Sequence, residues 1–286
     1  MLAAQSRAAL DRTLRCHAEL WVAIAEDHAV VLGAFQRGIG LPEGLPLVRR
    51  GSGGAEVRVA PGTVHVLLAL ESPSALVSCD EKRIVNRYVR PLLRALTRTG
   101  HLAHYFGRDW VSVDRRPIAS VGFAHDASTG RTAFEAFVAV NAPFALRARP
   151  SFLGKAPGTL PGADPARLAE AIAEAYGRDA EPVPLEPAGA PSAVGDLRAD
   201  PPWAATREEA IGIVGAGPDA GGAFRVGGDL LVSRDALARL EERVVVPGAD
   251  IARAVDDTLA AGGVALDGVR SLASIRDVVS AALPHG

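Results

Sequence analysis

Apolar residues in the first 145 positions fall into short runs rich in β-branched and aromatic side chains. Glycine, proline and charged residues separate these runs. Runs of this length and composition, bounded by turn residues, are typical of β-strands. We therefore predict strands at residues 21–24, 29–32, 64–70, 110–113, 118–123 and 133–140.

Two further stretches space their apolar residues as an α-helix does. Between residues 7 and 20, apolar side chains recur at roughly helical spacing with charges between them. Farther along, Asp164 and Pro165 are residue types favoured at the N-cap and the first helical position. Apolar residues at helical spacing follow them. We predict helices at residues 7–20 and 165–176.

A third and longer helical pattern covers residues 82–99, where apolar residues recur three or four positions apart. Pro91 lies inside the pattern and lacks the backbone N–H that a helix interior uses. We expect either a kink at Pro91 or a helix that begins nearer to Arg90. Gly100 is a natural end for this helix.

The order of these elements indicates the fold class. Strands come first, then one helix, more strands and another helix, which is the order of an α+β protein rather than of alternating βαβ units. We predict a mixed, mainly antiparallel sheet in residues of about 20 to 145. The helices at 7–20, 82–99 and 165–176 should pack on it.

A proline-rich stretch divides the 286-residue chain. Six of its 20 prolines fall in residues 181–202, where no hydrophobic periodicity is present, as in a semi-rigid linker. We predict a domain at residues 1–180, a linker at 181–206 and a small α/β accessory domain at 207–286. Strand-like runs in that accessory domain are predicted at 210–214 and 223–232, and helices around 237–240, 251–259 and 272–283.

The accessory domain contains a sequence that resembles a dinucleotide-binding turn. Residues 211–220 read IGIVGAGPDA, which resembles a strand followed by a G-x-G-x-x-A turn. That turn binds a pyrophosphate only where a helix begins at it. Here Gly221 and Gly222 follow, and then another β-prone run. We predict a β-hairpin rather than a nucleotide site.

Composition and charge exclude several classes of protein. With 48% hydrophobic and 22% charged residues, the chain is globular rather than disordered. Its net charge of −2 gives no electrostatic reason to expect a nucleic acid or a membrane as partner. No apolar run reaches the roughly 20 residues that span a bilayer. Cys16 and Cys79 are too few for a disulfide framework or a metal site. We expect a cytoplasmic protein without a metal of its own.

Residues 48–55, VRRGSGGA, are the strongest candidate for a ligand site. We call residues 49–54 the arginine–glycine loop. Glycines let a backbone approach a ligand closely, and consecutive amides can bind an anion. The predicted ligand-binding residues in the loop are Arg49, Arg50, Ser52, Gly53 and Gly54. Alternatively, one loop arginine is structural and pairs with an acid such as Glu56 or Asp109.

The order of motifs around this loop resembles the lipoate–protein ligase family, whose superfamily also holds octanoyltransferases and biotin ligases. VLGAFQ at residues 31–36 is similar to the family's VLGRFQ strand, and RRGSGG matches its lipoyl-pocket loop. YFGRD at 105–109 resembles GRNDL, which adds Asp109 to the predicted ligand-binding residues. DRRPIAS at 114–120 stands where the family has a KIsG strand. The resemblance covers residues of about 20 to 180.

The resemblance implies a reaction and its components. Lipoate ligases condense lipoate or octanoate with ATP, hold the acyl-adenylate, and pass the acyl group to a lysine of a carrier domain. Expected ligands are therefore ATP with its Mg²⁺ and a lipoyl or octanoyl group, and the expected partner is a lipoyl-carrier domain. Such chemistry needs an elongated apolar slot and cationic donors where charge develops.

This sequence departs from the family at positions expected to face the ligand. Pro117 takes the place of the catalytic lysine, so no catalytic residue is assigned. Arg115 is the candidate substitute, and the alternative is that Arg115 and Arg116 are solvated at a turn. The other departures are Ser120 for glycine, Glu135-Ala136 for His-Gly, Arg108 for asparagine and Ala34 for arginine.

Two classes of function remain open. The protein is either a ligase or acyltransferase with a rearranged site, or a non-catalytic relative that binds an acyl group or a carrier protein. An octanoyltransferase would need a cysteine nucleophile near the pocket, and Cys16 and Cys79 are expected elsewhere. His65 is expected to be a core or sheet histidine, and Lys155 a surface lysine.

Overall fold

The computed structural model describes residues 2–145, 149–183 and 197–283. Its strands are β1 (Ala18–Ile24), β2 (Ala29–Leu32), β3 (Leu47–Arg49), β4 (Val57–Val59), β5 (Val64–Leu70), β6 (Ala103–Tyr105), β7 (Trp110–Val113), β8 (Arg116–His125), β9 (Thr132–Val138), β10 (Glu181–Pro182), β11 (Ala205–Glu208), β12 (Ile213–Pro218), β13 (Phe224–Gly228), β14 (Leu231–Val232) and β15 (Leu266–Asp267). Its α-helices are α1 (Leu2–Ala8), α2 (Ile84–Arg98), α3 (Pro165–Tyr176), α4 (Arg234–Val244), α5 (Ile251–Leu259) and α6 (Leu272–Ala282).

A seven-stranded sheet with the order β10-β1-β5-β9-β8-β7-β6 is the scaffold of the larger unit. Every pair in it is antiparallel except β1 with β10, which is parallel. The predicted α+β class with a mixed, mainly antiparallel sheet is confirmed. Among the described residues, no helix is long and apolar enough to cross a bilayer.

The two faces of this sheet differ in chemistry because side chains alternate along each strand. On the core face, Val66, Ala136 and Val121 are neighbours on β5, β9 and β8 and belong to the main hydrophobic core. Helices α2 and α3 pack on this face. The opposite face, which we call the cleft face, carries polar, small and aromatic residues. Its central members are His65, Ser120, Gly122, Glu135 and Phe137.

A second sheet, with the order β3-β2-β4, covers part of the cleft face. Val31 of β2 and Val57 of β4 pack against Trp110 and Phe137 of the large sheet. The arginine–glycine loop connects β3 to β4, so this packing holds it over the cleft face.

Helix α2 begins at Ile84 and includes Pro91 in its interior. The alternative of a start nearer to Arg90 is therefore wrong. An internal proline costs about 3 kcal/mol, but a continuous helix buries seven side chains against the sheet, which outweighs one lost backbone bond. Gly100 ends the helix in a left-handed conformation with φ 93°, as predicted.

The predicted helix at residues 7–20 is wrong. Helix α1 ends at Ala8, and strand β1 begins at Ala18. Every residue of β1 pairs with β5 across the sheet, and these tertiary bonds outweigh the weak helical spacing of the apolar residues. The helix at 165–176 is confirmed, with the Asp164 side chain accepting a hydrogen bond from the Ala166 N–H.

The C-terminal part of the chain forms a three-stranded sheet, β11-β12-β13, packed with helices α4, α5 and α6. The glycine-rich run lies within β12, which pairs with β13 as a hairpin. The next helix begins only at Arg234, so no helix follows the glycines and the prediction of a hairpin is confirmed. The predicted strand at 223–232 is interrupted, because Gly228 has a φ of 105°.

The boundary between the two parts remains a prediction. Residues 184–196 of the predicted linker, including Pro184, Pro187 and Pro191, lie outside the described residues. We expect limited proteolysis to cut first between Glu181 and Thr206, because this stretch is rich in proline and lacks hydrophobic periodicity. Mass spectrometry of the fragments would locate the cut. A first cut within residues 1–180 would contradict the predicted boundary.

Candidate functional site

Arg50 is wholly enclosed by its own loop. Its guanidinium donates hydrogen bonds to the carbonyl oxygens of Ser52, Gly53 and Ala55. It also lies 5.3 Å from the centre of the Phe137 ring. Burial lowers the pKa of Arg50, and the nearby Glu135 carboxylate opposes that shift. Arg50 therefore shapes the loop from inside.

The backbone amides of the three loop glycines are also paired within the protein. The Gly53 N–H donates to the carbonyl of Phe123 at 3.0 Å, and the Gly54 N–H donates to that of Leu230 at 2.9 Å. The Gly51 N–H donates to Ser6 Oγ. In this arrangement remote segments of the chain occupy the amides of these glycines.

Arg49 differs from Arg50 because it reaches a cavity. Its Nη1 donates to the carbonyls of Gly33, Ala34 and Gln36. The guanidinium lines a space of about 310 Å³ between the loop and the C-terminal part. Neither loop arginine forms an ion pair with Glu56 or Asp109 among the described residues. Both are instead held by backbone carbonyls, and Glu56 pairs with Arg149 at 3.3 Å.

Glu135 connects three segments on the cleft face. Its Oε2 accepts hydrogen bonds from Ser6 Oγ at 2.8 Å and from Ser52 Oγ at 2.5 Å. Its Oε1 lies 2.6 Å from Nε2 of His65. Burial alone would raise the pKa of Glu135, but His65, Arg50 and Ser52 together lower it. Ser52 and His65 bind the same carboxylate rather than each other, so His65 does not activate Ser52 as a nucleophile.

Asp109 lies in a buried group of charges that the sequence did not reveal. Its Oδ1 has no hydrogen-bond partner, and burial raises the pKa of Asp109 to about 6 against the attraction of Arg149. Burial likewise raises the pKa of Asp229 to about 6. The Gln36 amide joins Glu56 to Asp229, with Nε2 donating to both carboxylates at 3.1 and 2.6 Å. Asp229 is remote in sequence, so no local motif indicates it.

Arg115, the candidate substitute for the missing lysine, is not placed beside Pro117. Pro117 is buried in β8, and its carbonyl accepts a hydrogen bond from the Gly158 N–H. Arg115 is exposed in the turn before β8 and has a φ of 64°. It therefore does not share a strand face with Pro117, as its candidacy assumed. Lys155 places its ammonium 5.2 Å from the Trp110 ring centre and 5.5 Å from that of Phe106.

Leu231 fills a slot between the loop and the cleft face. Its Cδ2 lies 3.6 Å from where a Cβ on Gly54 would stand, and 3.3 Å from the corresponding position on Gly122. The carbonyl of Leu230 approaches Gly53 so closely that a Cβ there would stand 2.2 Å from its oxygen. Glycine at these positions makes room for a segment of the protein's own C-terminal part.

The cysteines and possible metal ligands offer no second centre. Burial raises the pKa of both Cys16 and Cys79, which keeps them as thiols. Cys79 Sγ donates to the carbonyl of Asp80. In the described parts of the chain, no group of three or more His, Cys, Asp or Glu could hold a metal ion.

The arrangement around the loop does not fit ATP as it stands. An anion needs free amides or cations, whereas the Gly53 and Gly54 amides and Arg50 already have partners. Arg49, one of the loop's predicted binding residues, faces a cavity. The place that Leu231 fills holds an apolar side chain here, beside the Gly53 carbonyl, Ser52 Oγ and Arg50 Nη2.

No protein-family model matches the chain, and no curated protein matches it. Several solved structures do match the chain. A bipartite lipoate–protein ligase of Thermoplasma acidophilum, studied with its E2 lipoyl domain, is 14% identical, with a TM-score of 0.51, over 64% of this chain and 82% of that one. Lipoate–protein ligase A bound with ATP is 13% identical, with a TM-score of 0.51, over 64% and 83%.

A further T. acidophilum structure, which contains lipoic acid, is 13% identical with a TM-score of 0.52 and covers 65% of this chain and 83% of its own. At such low identity the likeness concerns the fold, and it agrees with the order of motifs in residues 20–180. The chain has the α+β fold of the lipoate–protein ligases.

Proposed function

We propose that this protein is a non-ligating counterpart of the lipoate–protein ligases that binds a lipoyl or octanoyl group. The observation behind the proposal is the slot between Gly54 and Gly122, which the apolar side chain of Leu231 fills here. An acyl chain would take the place of that side chain. Its carboxylate would lie toward the arginine–glycine loop, where Arg49 lines a cavity together with Arg37, Arg225 and Arg234.

We expect no ligation because of the positions of the lysines. The chain has two lysines, Lys82 and Lys155. Lys82 precedes helix α2 on the core side of the sheet, and Lys155 lies over two aromatic rings. Pro117 offers neither a charge nor an N–H to an acyl-adenylate. A fixed donor where charge develops is a large part of such catalysis.

Two similar structures, one with bound ATP and one studied with a lipoyl domain, indicate which further ligands and which protein partner to expect. By that likeness, a lipoyl-carrier domain is the expected protein partner. ATP and Mg²⁺ would bind only after the loop amides have been released. We assign no chemical step to them in this protein.

Replacing Leu231 should create a measurable binding site. Leu231→Ala removes a buried side chain and should cost about 2–5 kcal/mol of the free energy of unfolding. Octanoate should then bind in the opened slot and stabilise the folded state. We expect millimolar octanoate to raise the melting temperature of Leu231→Ala by about 3 °C or more, and that of the unaltered protein by less.

Leu240→Ala is the matched control. Leu240 is fully buried in the core of the C-terminal part, away from the loop, so its cavity should cost similar stability without accepting octanoate preferentially. Equal stabilisation of both variants would show unspecific binding. No stabilisation of Leu231→Ala by octanoate or lipoate would contradict an acyl slot at this place.

A further inference from the structure

A carboxylate oxygen without a hydrogen-bond donor lies in the interior, close to the proposed acyl slot. Asp109 is 2% exposed, and its Oδ1 has no hydrogen-bond partner. The great majority of buried polar groups have a partner, because a buried acceptor without a donor is unfavourable. Asp109 therefore offers a free acceptor to any donor that reaches it.

Asp109 lines a small cavity between the large sheet and the C-terminal part. We call this space, which Asp109, Asp267 and Leu231 line among others, the aspartate cavity. Its volume is about 20 Å³, which is room for about one water-sized group. Burial raises the pKa of Asp267. Arg108 also lines the cavity, and its Nη1 donates to the carbonyl of Ala210.

The side chain of Leu231 separates the acyl slot from the aspartate cavity. Its Cδ2 lies in the slot between Gly54 and Gly122, and the same residue lines the cavity. A ligand that displaces this side chain therefore joins the two spaces into one. Arg49 lies in the loop that covers the slot, whereas Asp109 directly precedes β7 of the large sheet. A chain with its carboxylate toward Arg49 would bring its far end toward Asp109.

The charges around Asp109 favour a cation there. Arg149, Asp229 and Arg50 are the charged groups that influence Asp109 most. Although burial raises the pKa of Asp109 to about 6, its carboxyl is ionised at pH 7.5. The buried cluster holds more acids than arginines: Glu56, Asp109, Glu135 and Asp229 against Arg50 and Arg149. One further positive charge would therefore improve the balance.

Octanoyl and lipoyl groups do not meet this requirement. Both end in groups that donate no hydrogen bond, so either would leave Asp109 Oδ1 buried without a donor. An amine at the same end supplies N–H groups and a positive charge together. Hydrogen bonds between an ammonium and a carboxylate are among the stronger ones in proteins.

We propose that the slot takes an acyl chain whose far end carries an amine, and that Asp109 binds the ammonium. This inference rests on the proposed function, because it places the chain where Leu231 lies and its carboxylate toward Arg49. It narrows the ligand class to ω-amino carboxylic acids. Octanoate and lipoate would bind at the same place, but more weakly. Asp109 would be the residue that determines this specificity.

Isothermal titration calorimetry with two matched ligands tests the proposal. 8-Aminooctanoate and nonanoate have the same number of non-hydrogen atoms and differ only in the terminal group, which is an ammonium or a methyl. For Leu231→Ala at pH 7.5, we expect 8-aminooctanoate to bind at least about tenfold more tightly, as one hydrogen bond to a charged group allows. Adding Asp109→Asn should reduce this preference to below about threefold and leave nonanoate binding unchanged.

Asp179→Asn is the matched control, because it removes an exposed carboxylate just after helix α3, on the core side of the sheet. Added to Leu231→Ala, it should leave the preference unchanged. Melting temperatures without ligand would show which variants are folded. Leu231→Val, a smaller reduction of the side chain, takes the place of Leu231→Ala if that variant does not fold.

The possible outcomes separate this inference from the proposed function. If nonanoate binds as tightly as 8-aminooctanoate, the amine proposal is overturned while the acyl slot is supported. A preference for 8-aminooctanoate that survives Asp109→Asn also overturns it, because the amine would then bind elsewhere. If neither ligand binds, the acyl slot and the amine proposal both fail.

Discussion

Incubated with ATP, Mg²⁺, lipoate and an unlipoylated carrier domain, the protein is expected to produce no detectable lipoyl-carrier. Loss of one preorganised donor lowers a rate by about 10² to 10³, and here Pro117 stands where the family has its lysine. The paired amides of Gly53 and Gly54 remove further donors. The mass increase of the carrier domain, followed by mass spectrometry, is the measurement.

A lipoate ligase that keeps the lysine serves as the positive control with the same carrier domain. Pro117→Lys alone is not expected to restore transfer, because position 117 is buried in β8 and the loop remains closed. Combining Pro117→Lys with Leu231→Ala would test whether opening the slot matters. Robust lipoyl transfer by the unaltered protein would refute the non-ligating proposal.

Glu135→Ala is expected to lower the free energy of unfolding by about 3–5 kcal/mol, as when one member of a buried charged group is removed. Ser6, Ser52 and His65 would all lose their shared acceptor. Urea denaturation at pH 7, monitored by circular dichroism, would measure the loss. Glu174→Ala, an exposed change on helix α3, should alter stability by less than about 0.5 kcal/mol.

The same carboxylate makes stability depend on pH. The pKa of Glu135 is lower in the folded protein than its usual value of 4.5, so the unfolded chain takes up a proton first. The contribution of ionised Glu135 to the free energy of unfolding is present above pH 4.5 and is lost as the pH falls through the lowered pKa. Glu135→Gln should reduce this acid sensitivity. If the free energy of unfolding of the Glu135→Gln variant changed from pH 6 to pH 3 as much as that of the unaltered protein does, this would contradict an ionised Glu135.

Much of the larger unit could be predicted because its signals are local. The run at residues 64–70 and the Asp164–Pro165 pair determine a strand and a helix start within a few residues. The error at residues 7–20 has the opposite cause. Strand β1 exists because β5 pairs with it from 40 or more positions away, and no short pattern contains that information.

The candidate site was predictable as a loop but not as an arrangement. The glycines in residues 51–54 correctly indicated close backbone approach. The partner is a remote part of the same chain, Leu230 and Leu231, rather than an evident ligand. Gln36 connects Asp229 to Glu56 only after folding. The local sequence does not indicate such a contact.

The hydrogen bonds between the first 36 residues and the C-terminal part also affect how the chain folds. The bond from Gln36 to Asp229 connects residues 193 positions apart, and that from Arg234 to Asp11 connects residues 223 apart. Contacts of such separation form late, because closing long loops costs entropy before any contact repays it. During synthesis on the ribosome, the arginine–glycine loop would therefore reach its final conformation only after the last third of the chain has been made. We expect both parts to unfold together in one cooperative transition, although a proline-rich stretch divides the sequence.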